Sequence, residues 1–516
     1  MPAQCPVIVR APRIYTSFRP TKFVEALTIL GDYVVYAGNA TEAARIGRDL
    51  ARSISCGKPR LLEFDGVAAP GFVDAHLHIQ GIGVYKHSIK LNDAESLDDL
   101  LRRVAEEADR FNEWVIGRGW DQDKLGTWPT RFDLDEVVRD KPVVLMRVCG
   151  HAAVLNTRAM EILGYLESDS PLIDKGCNGE PTGIVYEELA ERAYHEAVRS
   201  LDALRLVVDG LNELAKNGIT LAGAMDVEEH ALRGLILAWH SGLMAPRLRV
   251  YLSRRLFEKL YSAGFVPSFG GPQFRIMGVK IYMDGSLGAR TAWLRRPYSD
   301  DEKNSGKQLL ASKEVYEIAR KASEWRLDVA AHAIGDAAIL EALRGYDMAG
   351  CRCRIEHASL APRDVIDKLA TLGVRVAVQP RFLISDWWAV ERLGAERTRW
   401  LYPFRTMLSR GVILGFSSDA PVEPLNPLEG VYAAVTRGAL LPHSKEEALD
   451  VETALYLYTG GAAQVLNEPR AGCLEPGCYG DVVVLSEDPL STDIEDIPRI
   501  SVTATLVGGE LVWEKR

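Results

Sequence analysis

Between residues 71 and 417 the chain repeats one pattern: a short apolar run, then a stretch with helical amphipathicity. Eight apolar runs stand out, at 71–77, 219–225, 247–252, 276–283, 327–332, 353–357, 374–379 and 411–417. Helical periodicity follows most of them, as in SKEVYEIARKASEWR (311–325) and in 362–372. Repeated βα units predict an α/β fold on a parallel sheet. Eight such units predict a (β/α)8 TIM-like barrel, with its chemistry at the C-terminal ends of the strands. An open doubly wound sheet is the alternative. It fits less well, because no Gly-rich phosphate loop opens any of the helices.

The two ends of the chain read differently. ALTILGD (26–32) and YVVYAGN (33–39) form a hairpin-like pair about Gly31-Asp32, and RLLEFDG (60–66) is a further strand. Residues 480–485, 502–507 and 510–513 show the same short-strand character. Because chain ends often lie close together, residues 1–69 and 468–516 are expected to build one small β-sandwich. The barrel then occupies 70–467. Its first two strands are separated by far more than one βα unit, and residues 80–217 carry strands (114–117, 143–148) and helices (97–110, 186–199) of their own. This long insertion after strand one is expected to form a lid or a pocket wall.

Composition adds constraints. The 516 residues are 47% hydrophobic and 26% charged, normal for a globular protein with a large core. A net charge of −10 with no basic block argues against nucleic acid or anionic membrane as partners. No apolar h-region opens the chain and no run is long enough to span a bilayer, so the expected location is cytoplasmic. The eight cysteines make no disulfide framework and are expected to be free thiols, mostly buried. Cys473 and Cys478, which flank a Glu-Pro-Gly turn, could pair if the source is a thermophile; the excess of arginine over lysine is a weak hint of one. The spacing of Cys351 and Cys353 suits a zinc knuckle poorly.

Candidate chemistry lies at the strand tips. PGFVDAHLH (70–78) puts His76 and His78 two apart on a strand, so both imidazoles point to one side and can grip a metal ion. His-x-His alone is a weak signal. The chain has only ten histidines, however, and His332 ends strand five while His357 ends strand six. Asp419 follows strand eight in VILGFSSDAP. Unrelated capping or core residues would explain one such placement; the whole ordered set points to a metal site. Lys280, in VKIYMDGSLG (279–288), is a charged residue within a run that reads as a buried strand.

These segments, PGFVDAHLH, VKIYMDGSLG, HAIGD, RIEHA and SSDAP, resemble the amidohydrolase superfamily. The similarity is strongest to its YtcJ-like branch, amidohydrolase family 3, which includes N-substituted formamide deformylases. It extends to GRGWDQ (117–122), GHAAVLN (150–156) and EPTGIVYE (180–187). The resemblance implies two divalent metal ions, with His76, His78 and Asp419 on one, His332 and His357 on the other, and a Lys280 carboxylated by CO2 bridging them. A neutral buried amine suits that reaction, since burial disfavours the ammonium. A lysine snorkelling from the strand end, or paired with Asp284, is the alternative. Zinc is the first expectation, while Mn, Fe, Co and Ni suit the same donors.

The implied activity is metal-dependent hydrolysis of a non-peptide C–N bond in a small amide, N-acyl or N-formyl compound. Water activated between the ions attacks, and Asp419 shuttles the proton. A mononuclear deaminase of a cyclic amidine, or a catalytically degenerate binding protein, are the competing readings. His151 either steadies an oxyanion as a second catalytic residue or caps 152–163. Trp120, Asp121, Asp284 and Arg290 are expected in the substrate wall. Trp387 and Trp388 either line an apolar pocket or simply pack. His87, His195, His230, His240 and His443 show no partner pattern. The expected partner is a small-molecule substrate, and a homodimer is left open.

Overall fold

The computed structural model describes residues 5–148, 150, 152–265, 270–351 and 353–515. The eight predicted strands are all present: β1 (Phe72–Leu77), β2 (Ile219–Val227), β3 (Arg247–Ser253), β4 (Phe274–Tyr282), β5 (Asp328–Ala333), β6 (Arg354–His357), β7 (Arg375–Val378) and β8 (Ile413–Phe416). They form one sheet in sequence order, every neighbouring pair parallel. This is the barrel, not the doubly wound alternative. Every residue of β1, β3 and β6 is buried, as expected of parallel strands covered on both faces.

Closure of the ring comes from the segment that follows β8. Asp419 N donates to His76 O at 2.8 Å, and His78 N to Ala420 O at 2.8 Å. The fully buried carboxylate of Asp74 adds a side-chain staple, accepting from His76 N at 3.0 Å and from Ser418 N at 3.0 Å. Burial pushes Asp74 up to about 7, with the neighbouring charge of Asp419 adding to it and these amides opposing it.

The chain divides into two compact units. The larger comprises Met1–Ile79, Gly210–Leu232 and Ala238–Arg516. Within it, strands from both termini meet in a single eight-stranded sheet, in the order Glu510–Glu514, Val502–Val507, Val482–Leu485, Val67–Pro70, Val7–Phe18, Thr21–Leu30 and Tyr33–Gly38, with Arg60–Glu63 also pairing with Val7–Phe18. Val67–Pro70 runs through Gly71 directly into β1. A Cβ on Gly71 would come within 2.3 Å of Thr220 Oγ1, so only glycine lets the backbone pass here. Arg247 of β3, wholly buried, anchors the two sheets together. Its Nε and Nη2 reach Asp481 at 2.8 and 3.0 Å, Nη2 also reaches Asp32 at 3.0 Å, and the guanidinium lies 4.0 Å from the Tyr479 ring centroid.

The smaller unit, Gln80–Asp209 with Arg233–Leu237, takes in most of the expected insertion 80–217, whereas 210–217 belongs to the larger unit. It has a six-stranded sheet of its own and a core that includes Trp114, Trp120, Leu145 and Val185. His87, expected to lack a partner, pairs with Asp209 at 2.6 Å.

The cysteine expectation is corrected. Cys5–Cys56, Cys351–Cys353 and Cys473–Cys478 are disulfides, and Cys177 is free and exposed. Cys5 and Cys56 are 51 residues apart in sequence, and only the fold brings their Cα atoms to 5.6 Å. Two residues along a strand span about 6.6 Å. Cys351 and Cys353 precede β6, and their Cα atoms are 5.3 Å apart, within disulfide range. Among the described residues no helix is long and apolar enough to cross a membrane.

Removing Asp481 strands most of a buried guanidinium, so Asp481→Ala is expected to cost about 3 kcal/mol of unfolding free energy in urea titration. A loss below ~1 kcal/mol would mean that Asp32 and Tyr479 hold Arg247 unaided.

Candidate metal centre

Each strand tip delivers its residue by a local device. On β1 the alternation of a strand sends Asp74, His76 and His78 to one side. His357 and Asp419 both have left-handed backbone, with φ of 74° and 60°. Such a conformation is costly for a non-glycine residue and is found where surrounding structure over-determines it. Here it turns the two side chains inward as their strands end.

The ligand atoms of His76, His357 and Asp419 lie within 4.8 Å of one another, and all three residues are buried. Asp419 Oδ1 sits 3.3 Å from His76 Nε2 and 3.2 Å from His78 Nε2. The His357 ring centroid is 5.0 Å from that of His76 and 4.4 Å from that of His332. Lys280 is 1% exposed and its Nζ stands 3.4 Å from His76 Nε2. The sequence-predicted metal residues therefore converge at one end of the barrel.

Supporting contacts determine which nitrogen each imidazole offers. His76 Nδ1 faces Glu356 Oε2 at 2.5 Å and His357 Nδ1 faces Gln379 Oε1 at 2.8 Å. Gln379 is oriented by donating its Nε2 to Ser417 Oγ at 2.9 Å. Both histidines thus carry the proton on Nδ1 and leave the Nε2 lone pair free. His332 is reversed: Nε2 meets Gly285 O at 3.0 Å, which leaves Nδ1 as the free donor atom.

The electrostatics favour bare donors. Burial, reinforced by the Lys280 charge, lowers His332 to about 3, and burial with the neighbouring His332 holds His357 well below the usual imidazole value. Burial pulls Lys280 below the ordinary lysine value against the opposing charges of Glu356, Asp419 and Asp226. Burial would raise Asp419, yet His76, His78 and His357 hold it well below the carboxylate range.

A divalent metal fits this donor set. Asp419 Oδ1 is buried and has no hydrogen-bond donor among the described residues. A desolvated anion without a donor is expensive, and a cation between it and the Nε2 atoms removes that cost. Neutral imidazoles with carboxylate oxygen are a donor set for zinc and its first-row neighbours.

The expected substrate residues make the following contacts. Trp120 is wholly buried in the core of the inserted unit, and its Nε1 donates to Leu145 O at 2.8 Å. Asp121 caps the helix Gln122–Leu125 and pairs with Arg147 at 3.1 Å. Asp284, 1% exposed, is a loop organiser: it accepts from Ile334 N at 3.0 Å, Trp293 N at 2.9 Å and Gly335 N at 2.8 Å. It therefore does not pair with Lys280 as the alternative reading had it. Arg290 is half-buried and paired with Asp300 at 2.7 Å. Trp387 is 72% exposed, whereas Trp388 packs beside Gly288 and Arg392. His151 lies outside the described residues.

Residues that the sequence reading passed over include Asp74, Gln379 and Glu356. Two carried a signal: Asp74 and Glu356 are acids within short buried strands, two before and next to a histidine. Glu423 is a further, half-buried acid, pushed up to about 7 by burial, with Asp386 and Asp419 adding to the shift.

The parallel barrel with this cluster at its strand tips defines a class by fold and site, an α/β barrel with a candidate metal centre. The family model described as "Amidohydrolase family" matches residues 65–513, and the chain belongs to that family. It is 30% identical over 487 residues to YtcJ of Bacillus subtilis (strain 168), which is named as an amidohydrolase, covering 87% of this chain and 89% of that one. It is 25% identical to the N-substituted formamide deformylase of Arthrobacter pascens, covering 95% of each. Among solved structures, an uncharacterized metal-dependent hydrolase from Pyrococcus horikoshii OT3 superposes with a TM-score of 0.86. That protein is 37% identical, over 95% of this chain and 99% of the other.

Asp284→Ala would leave three buried amides without an acceptor, each worth about 1–3 kcal/mol. The expected outcome is a stability loss of ~3 kcal/mol or more by chemical denaturation. Native stability with a raised KM would instead return Asp284 to the substrate.

Proposed function

We propose that this chain hydrolyses a non-peptide C–N bond in a small amide, N-acyl or N-formyl compound. It would use two divalent ions, zinc first, held by His76, His78, Lys280, His332, His357 and Asp419. The observation that carries the reading is the buried, donor-less Asp419 Oδ1 flanked by two imidazole Nε2 atoms. When bound, such ions supply Lewis acidity and a water acidic enough to act as nucleophile near neutral pH.

The chain's own residues do the rest. His332 and His357, kept neutral by burial, offer lone pairs at neutral pH. Asp419 is anionic and can take the nucleophile's proton on Oδ2, then return it to the departing nitrogen, which otherwise leaves as a strongly basic amide anion. Lys280 Nζ, with its ammonium disfavoured, is suited to attack the carbon of CO2. One N–C bond forms as a C=O π bond of CO2 opens onto oxygen, the nitrogen gives one proton to water, and the product carbamate is an anion that presents two oxygens. The family relationship to an N-substituted formamide deformylase makes N-formyl amines the first compounds to assay.

Metal analysis of the purified protein is expected to approach two ions per chain; one ion would favour a mononuclear deaminase. Chelation should abolish hydrolysis of the responsive N-formyl or N-acyl compound, and zinc should restore it. Failure of the metal-loaded protein on N-formyl, N-acyl, ester and lactone panels alike would overturn the assignment. Lys280→Ala is expected to lose activity by orders of magnitude while keeping a native circular dichroism spectrum. Carbon-13-labelled CO2 should give a carbamate resonance in the wild type only. Full activity and metal content in Lys280→Ala would remove the lysine from the centre.

A further inference from the structure

Strand β6 is four residues long and entirely buried, yet two of the four are charged. Arg354 and Glu356 stand two apart and so share a face. The guanidinium grips the carboxylate with two bonds, Nε to Oε1 at 2.6 Å and Nη2 to Oε2 at 2.8 Å. Such a fork constrains both position and plane. Glu356 Oε2 also takes His76 Nδ1 at 2.5 Å, and Arg354 Nη2 donates to Ala75 O at 2.9 Å, on the residue just before His76. The guanidinium lies 4.9 Å from the Tyr251 ring centroid, and Tyr251 OH donates to Asp328 at 3.3 Å. Arg354, Glu356, His76 and Tyr251 are all 0% exposed.

Stability is a poor reason for this arrangement. Taking two charges out of water is expensive, and well-packed apolar residues often replace a buried ion pair at no loss. One guanidinium atom, Nη1, is even left without an acceptor among the described residues. What the pair does is local. An ionised carboxylate only accepts, so the proton of His76 must sit on Nδ1 and the Nε2 lone pair must face Asp419 and Lys280. Arg354 takes both carboxylate oxygens, which fixes the plane of Glu356 and the direction from which it meets His76. His357 is supported differently, by the neutral amide of Gln379.

We propose that Glu356 and Arg354 are positioning residues for His76: Glu356 sets its tautomer and ring plane, and Arg354 holds Glu356 in place through its two-bond fork. The inference rests on the metal-dependent reading above. An anionic partner on Nδ1 also makes Nε2 a stronger donor, and loss of such support typically weakens metal binding about 10–100-fold.

The test is zinc affinity of the full-length apoprotein, by competition with a chromophoric chelator, alongside thermal unfolding without metal. Glu356→Gln keeps an acceptor but loses the charge, and is expected to weaken zinc binding about 10–100-fold. Since it strands Arg354, the double variant Arg354→Met/Glu356→Gln removes both charges together. It should fold with near wild-type apo stability and show the same loss of affinity. Glu356→Asp retains the charge and should recover part of the affinity. A double variant that unfolds, or that folds with wild-type zinc affinity, overturns the assignment, because the pair would then serve the barrel and not the ligand. Wild-type protein that takes up no zinc would overturn the metal reading itself, a result distinct from equal binding by wild type and variants.

Discussion

Asp74 accepts hydrogen bonds from the backbone amides of His76 and Ser418, and the main chains on either side exchange two more, His76 with Asp419 and His78 with Ala420. These contacts join the first strand of the barrel to the segment after the last. His76, His78 and Asp419 come from opposite ends of the parallel sheet, and they meet only because the ring shuts there. The same contacts hold Asp419 in its left-handed conformation. Closure of the barrel and the meeting of these three residues rest on the same contacts.

Charge inside the larger unit follows a consistent logic. Arg247 with Asp481 and Asp32, Arg249 with Glu468 at 2.5 Å, and Arg354 with Glu356 each bury a guanidinium at 0% exposure. The first two tie β3 to residues from the C-terminal part of the chain, so they select a partner rather than simply adding cohesion. Arg354 instead grips Glu356, which meets His76 Nδ1, and through that contact the cluster gains a fixed orientation that packing alone would not impose.

Much of the fold was legible because parallel βα repeats write themselves as apolar runs separated by amphipathic helices. All eight strands lie within a few residues of their expected positions, and the terminal strands do join. The metal residues were legible for a related reason: a histidine or aspartate ending an apolar strand is conspicuous when histidines are few. The structural contacts of Trp120 and Asp284 were not legible, because sequence motifs mark structural and substrate residues alike. A buried tryptophan whose N–H meets a carbonyl, and an aspartate that collects three amides, look from sequence like pocket walls. The cysteines were misread for want of distances, since Cys5 and Cys56 are neighbours only after folding.

The order of strands, the positions of the candidate ligands and the odd burial of Lys280 were thus determined by sequence alone, because strand periodicity and the scarcity of histidine are local properties. The direction of each imidazole, the orientation of Glu356 and the isolation of Asp419 Oδ1 were decided only by tertiary structure. Each depends on a partner contributed by another strand, and the strength of a hydrogen bond or an ion pair is set by distance and desolvation, which no linear spacing encodes.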